Sequence, residues 1–222
     1  MNDNNRFILK PHFGNLSERG LDYRDILTYI TIKSYYNPKE RSCFPTYETI
    51  AKHSGLSKKF VGDSVKRLET AGLVDIWKFG KFKVKHNYCF PQFDKYHKVS
   101  FDLLDLDLSA NEKATLLLLR EYVDGSYCSF KTITEIAKSS GVDVKLLDKN
   151  FKLLISKGYI ATGYVDDLAE GTVVPYFDLT DKLTWSFKLH SLKGQTAPEK
   201  LSGMDIMNWA CGMIKKMAVS KR

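Results

Sequence analysis

Residues 46–72 read TYETIAKHSGLSKKFVGDSVKRLETAG, and the order of capping residues and glycines within them decides the fold. Thr46 and Ser57 each stand where a side-chain hydroxyl can accept a hydrogen bond from the first free N–H groups of a helix. Ser54-Gly55 interrupts the first of these helices where a sharp turn needs glycine's tolerance of positive φ. Gly72 is placed as the residue just beyond the end of the second helix. A short helix, a tight glycine turn and a longer helix make a helix-turn-helix.

The same stretch occurs twice. At an offset of 86 residues, Phe44 through Gly72 aligns without a gap on Phe130 through Gly158. Ile50-Ala51-Lys52 falls on Ile136-Ala137-Lys138, Ser54-Gly55 on Ser140-Gly141, Lys59 on Lys145, Lys66 on Lys152 and Leu68 on Leu154. Such in-phase agreement marks one small module present in two copies. Each copy is preceded by a further helix: Asp22-Tyr-Arg-Asp25 opens one, and Ser109 with Glu112 forms a capping box for the other. Short extended pieces follow at 42–44 and 127–130, and Asp143 replaces Ser57 as cap of the second copy's last helix.

A hairpin is predicted after each module. Leu73–Trp77 and Lys81–Tyr88 flank a turn at Phe79-Gly80; Tyr159–Val165 and Thr172–Leu179 flank an acidic tip from Asp166 to Gly171. Three helices and a hairpin constitute a winged helix, so the expected fold class is mainly α with small β-hairpins (α+β). The expected layout is an N-terminal arm (1–20), winged helix 1 (21–93), a linker (94–108), winged helix 2 (109–190), and a joint with an amphipathic C-terminal helix (191–222). Met204, Ile206, Met207, Ala210, Met213, Ile214 and Met217 outline that last helix.

Charge separates the copies. The 222-residue chain carries +8 formally, but residues 1–98 alone carry +8, residues 99–190 carry −4, and residues 191–222 carry +4. The first unit therefore has the surface that attracts polyanions, and the second does not. With 43% hydrophobic residues the chain can bury a core, and its longest apolar runs are too short to span a membrane. Four scattered cysteines and five scattered histidines offer no paired metal ligands, and reduced thiols are expected. No phosphate loop, nucleophile elbow or zinc-protease motif is present, so neither an enzyme nor a cofactor is expected.

The run from Cys43 to Val61, continued by Lys66-Arg-Leu-Glu-Thr-Ala-Gly72-Leu73, resembles winged helix-turn-helix domains of phage and plasmid replication initiators and related regulators. Those domains carry a Phe-Pro-Ser start, an Ile-Ala pair, a turn glycine and a recognition helix ending Leu-Glu before Gly-Leu; here Thr46 replaces the serine. The close match spans about residues 43–74 and is weaker in the second copy. The resemblance implies double-stranded DNA as partner in a bacterial or phage-infected cytoplasm.

Placed on a helical wheel, Val61, Val65 and Leu68 face the core, with Phe60 and Ser64 alongside. The opposite face holds Lys59, Gly62, Asp63, Lys66 and Thr70, flanked by Lys58 and Arg67, with Ser57 at the phosphate-binding helix start. In such a helix Lys59 can reach guanine and Asp63 a cytosine amino group, whereas a solvated charged face would instead pair Asp63 with Lys59 or Arg67. The first hairpin adds Lys78, Lys81, Lys83 and Lys85, the last three on one face and Phe82 and Val84 on the other. About 6 to 8 phosphate contacts would give a log–log salt slope near −5 to −7.

In the second copy Lys145, Lys149, Asn150 and Lys152 offer a further DNA contact, opposed by Asp143, Asp148 and the acidic tip. That unit either touches DNA weakly or pairs with another copy of the chain. Three roles are compatible with these residues: a replication initiator recruiting replisome proteins through the second unit, a transcription regulator dimerising through it or the last helix, and a protein-interaction adaptor. A basic recognition helix disfavours the adaptor.

Overall fold

The computed structural model describes residues 7–80, 85–93, 96–123, 128–167, 172–183 and 185–186. Strand β1 (Phe7–Pro11) leads into helices α1 (Arg24–Ser34), α2 (Tyr47–Ser54) and α3 (Lys58–Thr70), then a hairpin of β2 (Asp75–Phe79) and β3 (Lys85–Cys89). Strand β4 (Tyr96–Ser100) and a 3-10 turn follow. The order then repeats: helix α4 (Ala110–Leu119), strand β5 (Cys128–Ser129), helices α5 (Ile133–Ser140) and α6 (Val144–Ser156), and a hairpin of β6 (Ile160–Asp167) and β7 (Thr172–Leu179). Strand β8 (Trp185–Ser186) ends the described chain. The expected α+β class of helices with small antiparallel sheets is what forms.

The local signals act as read. Thr46 and Ser57 accept from the N–H groups of Thr49 and Phe60 (both 3.1 Å), and Asp143 accepts from Leu146. Ser109 and Thr132 complete capping boxes with Glu112 and Glu135. Gly55 and Gly141 both sit at φ +73°, in the left-handed region that an alanine would enter at a cost of about 1–2 kcal/mol. Past α3, the N–H of Gly72 bonds to Glu69 C=O and that of Leu73 to Leu68 C=O; Gly158 and Tyr159 repeat the pair beyond α6. These are the paired 5→2 and 6→1 bonds that satisfy a helix end at glycine.

Helices α1 and α4 pack on each other at the centre. Residues Asp25 to Ile32 of α1 and Glu112 to Leu119 of α4 are buried on every side. A helix that is apolar around most of its circumference has no water-facing option, so these two are covered by both copies. One hydrophobic core results, running from Ile26, Leu27 and Leu68 to Leu117, Leu147 and Leu154.

Two segments expected as spacers belong to this core. The arm expected at residues 1–20 contains β1, and the linker expected at 94–108 contains β4. They pair antiparallel from Phe7 opposite Ser100 to Pro11 opposite Tyr96, with β8 on the other edge of β4. Ile8, Phe13, Leu16, Val99 and Leu103 are buried. The alternating apolar residues of two short polar-looking stretches were each too brief to read as strands alone; pairing is what makes them so. The expected C-terminal helix and the Gly194–Pro198 joint lie outside the described residues.

Lys10 of β1 is fully buried and bonded to Glu121 just beyond α4, which also holds His12 Nδ1 at 2.9 Å and the Phe13 N–H at 3.1 Å. Burial would raise the Glu121 carboxyl, but Lys10 and His12 more than offset it and hold it at about 2. His97 on β4 is lowered to about 4 by burial and by Lys10 and Arg120 nearby. Both groups are depressed in the folded state, so each takes up protons more readily when the chain unfolds. Stability is therefore predicted to fall from pH about 6.5 toward 4 through His97, and further from about 4.5 toward 2 through Glu121. Denaturant titrations across this range check it: His97→Gln removes the upper decline and leaves the lower one.

Residues Asn15–Ser17 dock on the turn between α5 and α6, where Leu16 N–H bonds to Ser140 C=O at 2.9 Å. A Cβ on Gly141 would stand 2.3 Å from Ser17 Cβ and 3.0 Å from its backbone nitrogen, whereas one on Gly55 would meet only Ala110 Cβ at 3.8 Å. Gly141→Ala is thus expected to destabilise by clearly more than the about 1–2 kcal/mol of Gly55→Ala, since both share the backbone strain and only one meets the docked loop. Equal losses in chemical denaturation would contradict that docking.

Candidate nucleic-acid interface

The first unit presents α3 on a stitched turn. Ser54 Oγ donates to Ile50 C=O (2.8 Å) and accepts from Leu56 N–H (3.2 Å), while buried Leu56 pins the turn to the core. Val61, Ser64, Val65 and Leu68 face inward. Lys59, Asp63, Lys66 and Thr70 are exposed, with Ser57 and Lys58 exposed at the helix start and Gly62 half-buried between them. No ion pair among the described residues holds Lys59, Asp63 or Lys66. Lys58 reaches Glu48 at 3.7 Å, but both are well exposed and such a pair holds little.

The electrostatics of that helix start are unusual. The first turn of α3 contains two lysines and no acid, although the helix dipole makes its N-terminus the positive end. Helices α1, α2, α4 and α5 place an acid there, and α6, whose first turn also lacks one, is capped by Asp143. Cations at that end are disfavoured by roughly 0.3–1 kcal/mol each, and an anion arriving at Ser57–Lys59 relieves it.

Tyr47, the first residue of α2, joins the hairpin to α3. Its ring stacks on His86 of β3 (centroids 5.0 Å apart, 31° between planes) and lies 3.5 Å from where a Gly62 Cβ would stand. Burial, then the neighbouring Lys78 ammonium, lowers the His86 imidazole, so it is neutral near pH 7. Lys78, paired across the strands with His86, therefore lies on the side of the hairpin nearest the open face of α3.

Several sequence expectations need correction. Arg67 is no free DNA contact: its Nε and Nη2 donate to Asp25 at 2.8 and 2.7 Å, and Asp25 is buried at 0% exposure. It also stacks on Phe60, with its guanidinium 5.1 Å from the ring centroid, opposite Arg24 at 4.3 Å. On the wheel Arg67 lies about 20° from Phe60, at the margin of the apolar stripe rather than on the open face. Asn150 is buried and donates to Thr115 Oγ1 at 3.0 Å, fastening α6 to α4. The repeat already held that answer, because Asn150 aligns with Ser64, a position on the inner side of α3.

The first hairpin also differs. Its pairing runs to Phe79 opposite Lys85, beyond the expected strand end at Trp77, and Lys81 and Lys83 lie outside the described residues. Lys78 and Lys85 stand on opposite faces. The face of Lys85 carries Trp77 and Phe79, both exposed, while Ile76 and buried Tyr88 face the core; Phe82 and Val84, expected on the apolar face, lie outside the described residues. In the second unit Lys145 and Lys149 are exposed, and Lys152 is exposed but bonded to Asp148 at 2.7 Å. Strand β6 extends to Asp167, so Asp166 and Asp167 belong to the strand rather than to the tip.

Residues 19–74 match a family described as a helix-turn-helix domain, about a quarter of the chain. No curated protein and no solved structure matches the chain significantly. The matched span ends at Val74, one residue before β2, and with the hairpin it makes the first unit a winged helix-turn-helix, a fold of DNA-binding proteins. Among the described residues no helix is long and apolar enough to cross a membrane, and no three His, Cys, Asp or Glu side chains gather to hold a metal.

Two arginine-helix variants separate structure from recognition. Arg67→Ala strands a buried Asp25 and is expected to lower stability by roughly 1–3 kcal/mol, below the 3–5 of a fully buried pair because about a third of Arg67 meets water. Lys66→Ala, one residue away, should leave the unfolding midpoint within about 0.5 kcal/mol of wild type. Thermal or urea melts of both variants decide it.

Proposed function

We propose that this protein binds a specific double-stranded DNA site by inserting α3 into the major groove, and that it initiates replication of a phage or plasmid. The observation that carries the DNA reading is the exposed Lys59–Asp63–Lys66 face beginning at an acid-free, lysine-bearing helix N-terminus. Lys59 and Asp63 lie within the first two turns of α3, the part of a recognition helix that reaches base edges. Lys66, Lys78 and the helix start at Ser57-Lys58 serve the phosphates; Lys81 and Lys83 are proposed to extend that contact. The binding involves no catalytic step and no cofactor, and it places the chain in the cytoplasm of the host cell.

Initiation is favoured over plain regulation by the division of charge between two winged-helix units on one core. The cationic unit holds the duplex while the other, acid-bearing unit faces a replication protein or a second copy of the chain. Exposed Lys145 and Lys149 leave it a subordinate contact with flanking DNA. A transcription regulator would use the same α3 chemistry on a different target.

Selection of bound duplexes from a random pool, mapped on the source genome, tests the role. Direct repeats beside an origin support initiation, and an inverted pair over a promoter supports regulation. On the selected duplex, Lys59→Ala is expected to weaken binding and relax preference at one base pair by about 1–3 kcal/mol. Replacing Lys78, Lys81 and Lys83 together should make the salt slope shallower by up to about 3 while preserving sequence preference; an unchanged slope would remove the hairpin from the contact.

A further inference from the structure

The outer face of the first hairpin holds aromatic rings that the fold does not need. Trp77 is 68% exposed, and Phe79, two residues on along the same face of β2, is 45% exposed. Phe44, 47% exposed on the segment that bridges to β3 through Cys43 and Tyr88, meets Phe79 edge-on with centroids 5.8 Å apart. Lys85 stands opposite Phe79 on this face. The rings lie on the side of the sheet away from Ile76 and buried Tyr88, and so away from the core that carries α3.

The second unit fills the Trp77 position differently. Gly163 occupies the place of Trp77, five residues past the helix-ending glycine, and a Cβ there would stand 2.6–2.8 Å from the ring and hydroxyl of Tyr176. Tyr176 thus lies flat over the strand, beside Phe130 at 6.1 Å. The fold is satisfied by a glycine and a covering ring at this position, so an upright, exposed tryptophan in the cationic unit is a separate feature.

We infer that Phe44, Trp77, Phe79 and Lys85 form a second nucleic-acid site, which stacks the unpaired bases of single-stranded DNA. Exposed π-faces beside a cation match a base that has left its stack, since each base offers a flat face and each nucleotide a phosphate. A duplex hides those faces and shows only base edges and backbone. A second copy docking here face to face would set Lys85 against Lys85, within a half of the chain that already carries +8. The site is separate from α3, so a strand displaced from a duplex could be held while α3 keeps its own contact.

The test uses the full chain, a fluorescent oligo-dT of about 20 nucleotides, and a duplex of the selected sequence, followed by anisotropy. Trp77→Ala and Phe79→Ala should each weaken oligo-dT binding roughly 5- to 100-fold and change duplex affinity less than about twofold. Lys59→Ala should do the reverse, so loss of this site and loss of the duplex reading are told apart. Melting temperatures equal to wild type exclude a folding defect, as expected for side chains this exposed. The inference is overturned if oligo-dT is not bound, if both aromatic variants bind it as tightly as wild type, or if sedimentation shows that they lose only self-association.

Discussion

The burial of α1 against α4 is the constraint on which the rest of the structure depends. Each is the first helix of a helix-turn-helix unit, and each is buried on nearly its whole circumference, Asp25, Thr28, Glu112 and Thr115 included, so neither completes its burial within one unit. Their contact fuses two copies into one core. Polar side chains then fix the outer helices to this pair: Arg67 on Asp25, Asn150 on Thr115, and Lys157 on Glu112 at 2.7 Å. Each tie satisfies a buried polar group, and removing the partner leaves that group under-compensated, although Glu112 keeps Ser109 and Asp25 keeps the Asp22 N–H. Helix α3 is therefore held at a set angle to the whole molecule, which is what the proposed base-reading role requires.

Much of this was legible in the sequence because the deciding signals are local. Thr46, Ser57, Thr132 and Asp143 are read as caps from their immediate neighbours, and Gly55, Gly72, Gly141 and Gly158 from the backbone angles only glycine adopts cheaply. The 86-residue repeat then extends one unit's reading to the other. What could not be read depends on partners distant in the chain. Strand β1 exists because β4 lies beside it nearly 90 residues later, and neither stretch is long enough to declare itself. Arg67 reads as a DNA contact from its charge alone, because its partner Asp25 lies 42 residues earlier. Lys10 is buried only because Glu121, 111 residues away, receives it. Asn150 is the one site residue whose true place was available beforehand, through its alignment with Ser64.

The two units share a frame and differ in what they show to solvent. On α3, Lys59 and Lys66 are free of ion pairs among the described residues; on α6, the equivalent of Lys66 is Lys152, which is bonded to Asp148. The first hairpin keeps Trp77 upright, and the second replaces it with glycine under Tyr176. The turn of the second helix-turn-helix is occupied by residues 15–17, whereas a Cβ on Gly55 in the first would meet only Ala110. At these three positions the first copy keeps its groups available and the second commits them to its own chain, while Lys145 and Tyr164 of the second remain exposed.

The central claim is that the open face of α3 carries the DNA contact. Backbone amide shifts followed by nuclear magnetic resonance, as the selected duplex is titrated into the full chain, test it most directly. The largest changes should fall on residues 57–67, with smaller ones at Lys78 and little on α6. Changes concentrated on α6 and the β6–β7 hairpin, with α3 unmoved, would contradict it.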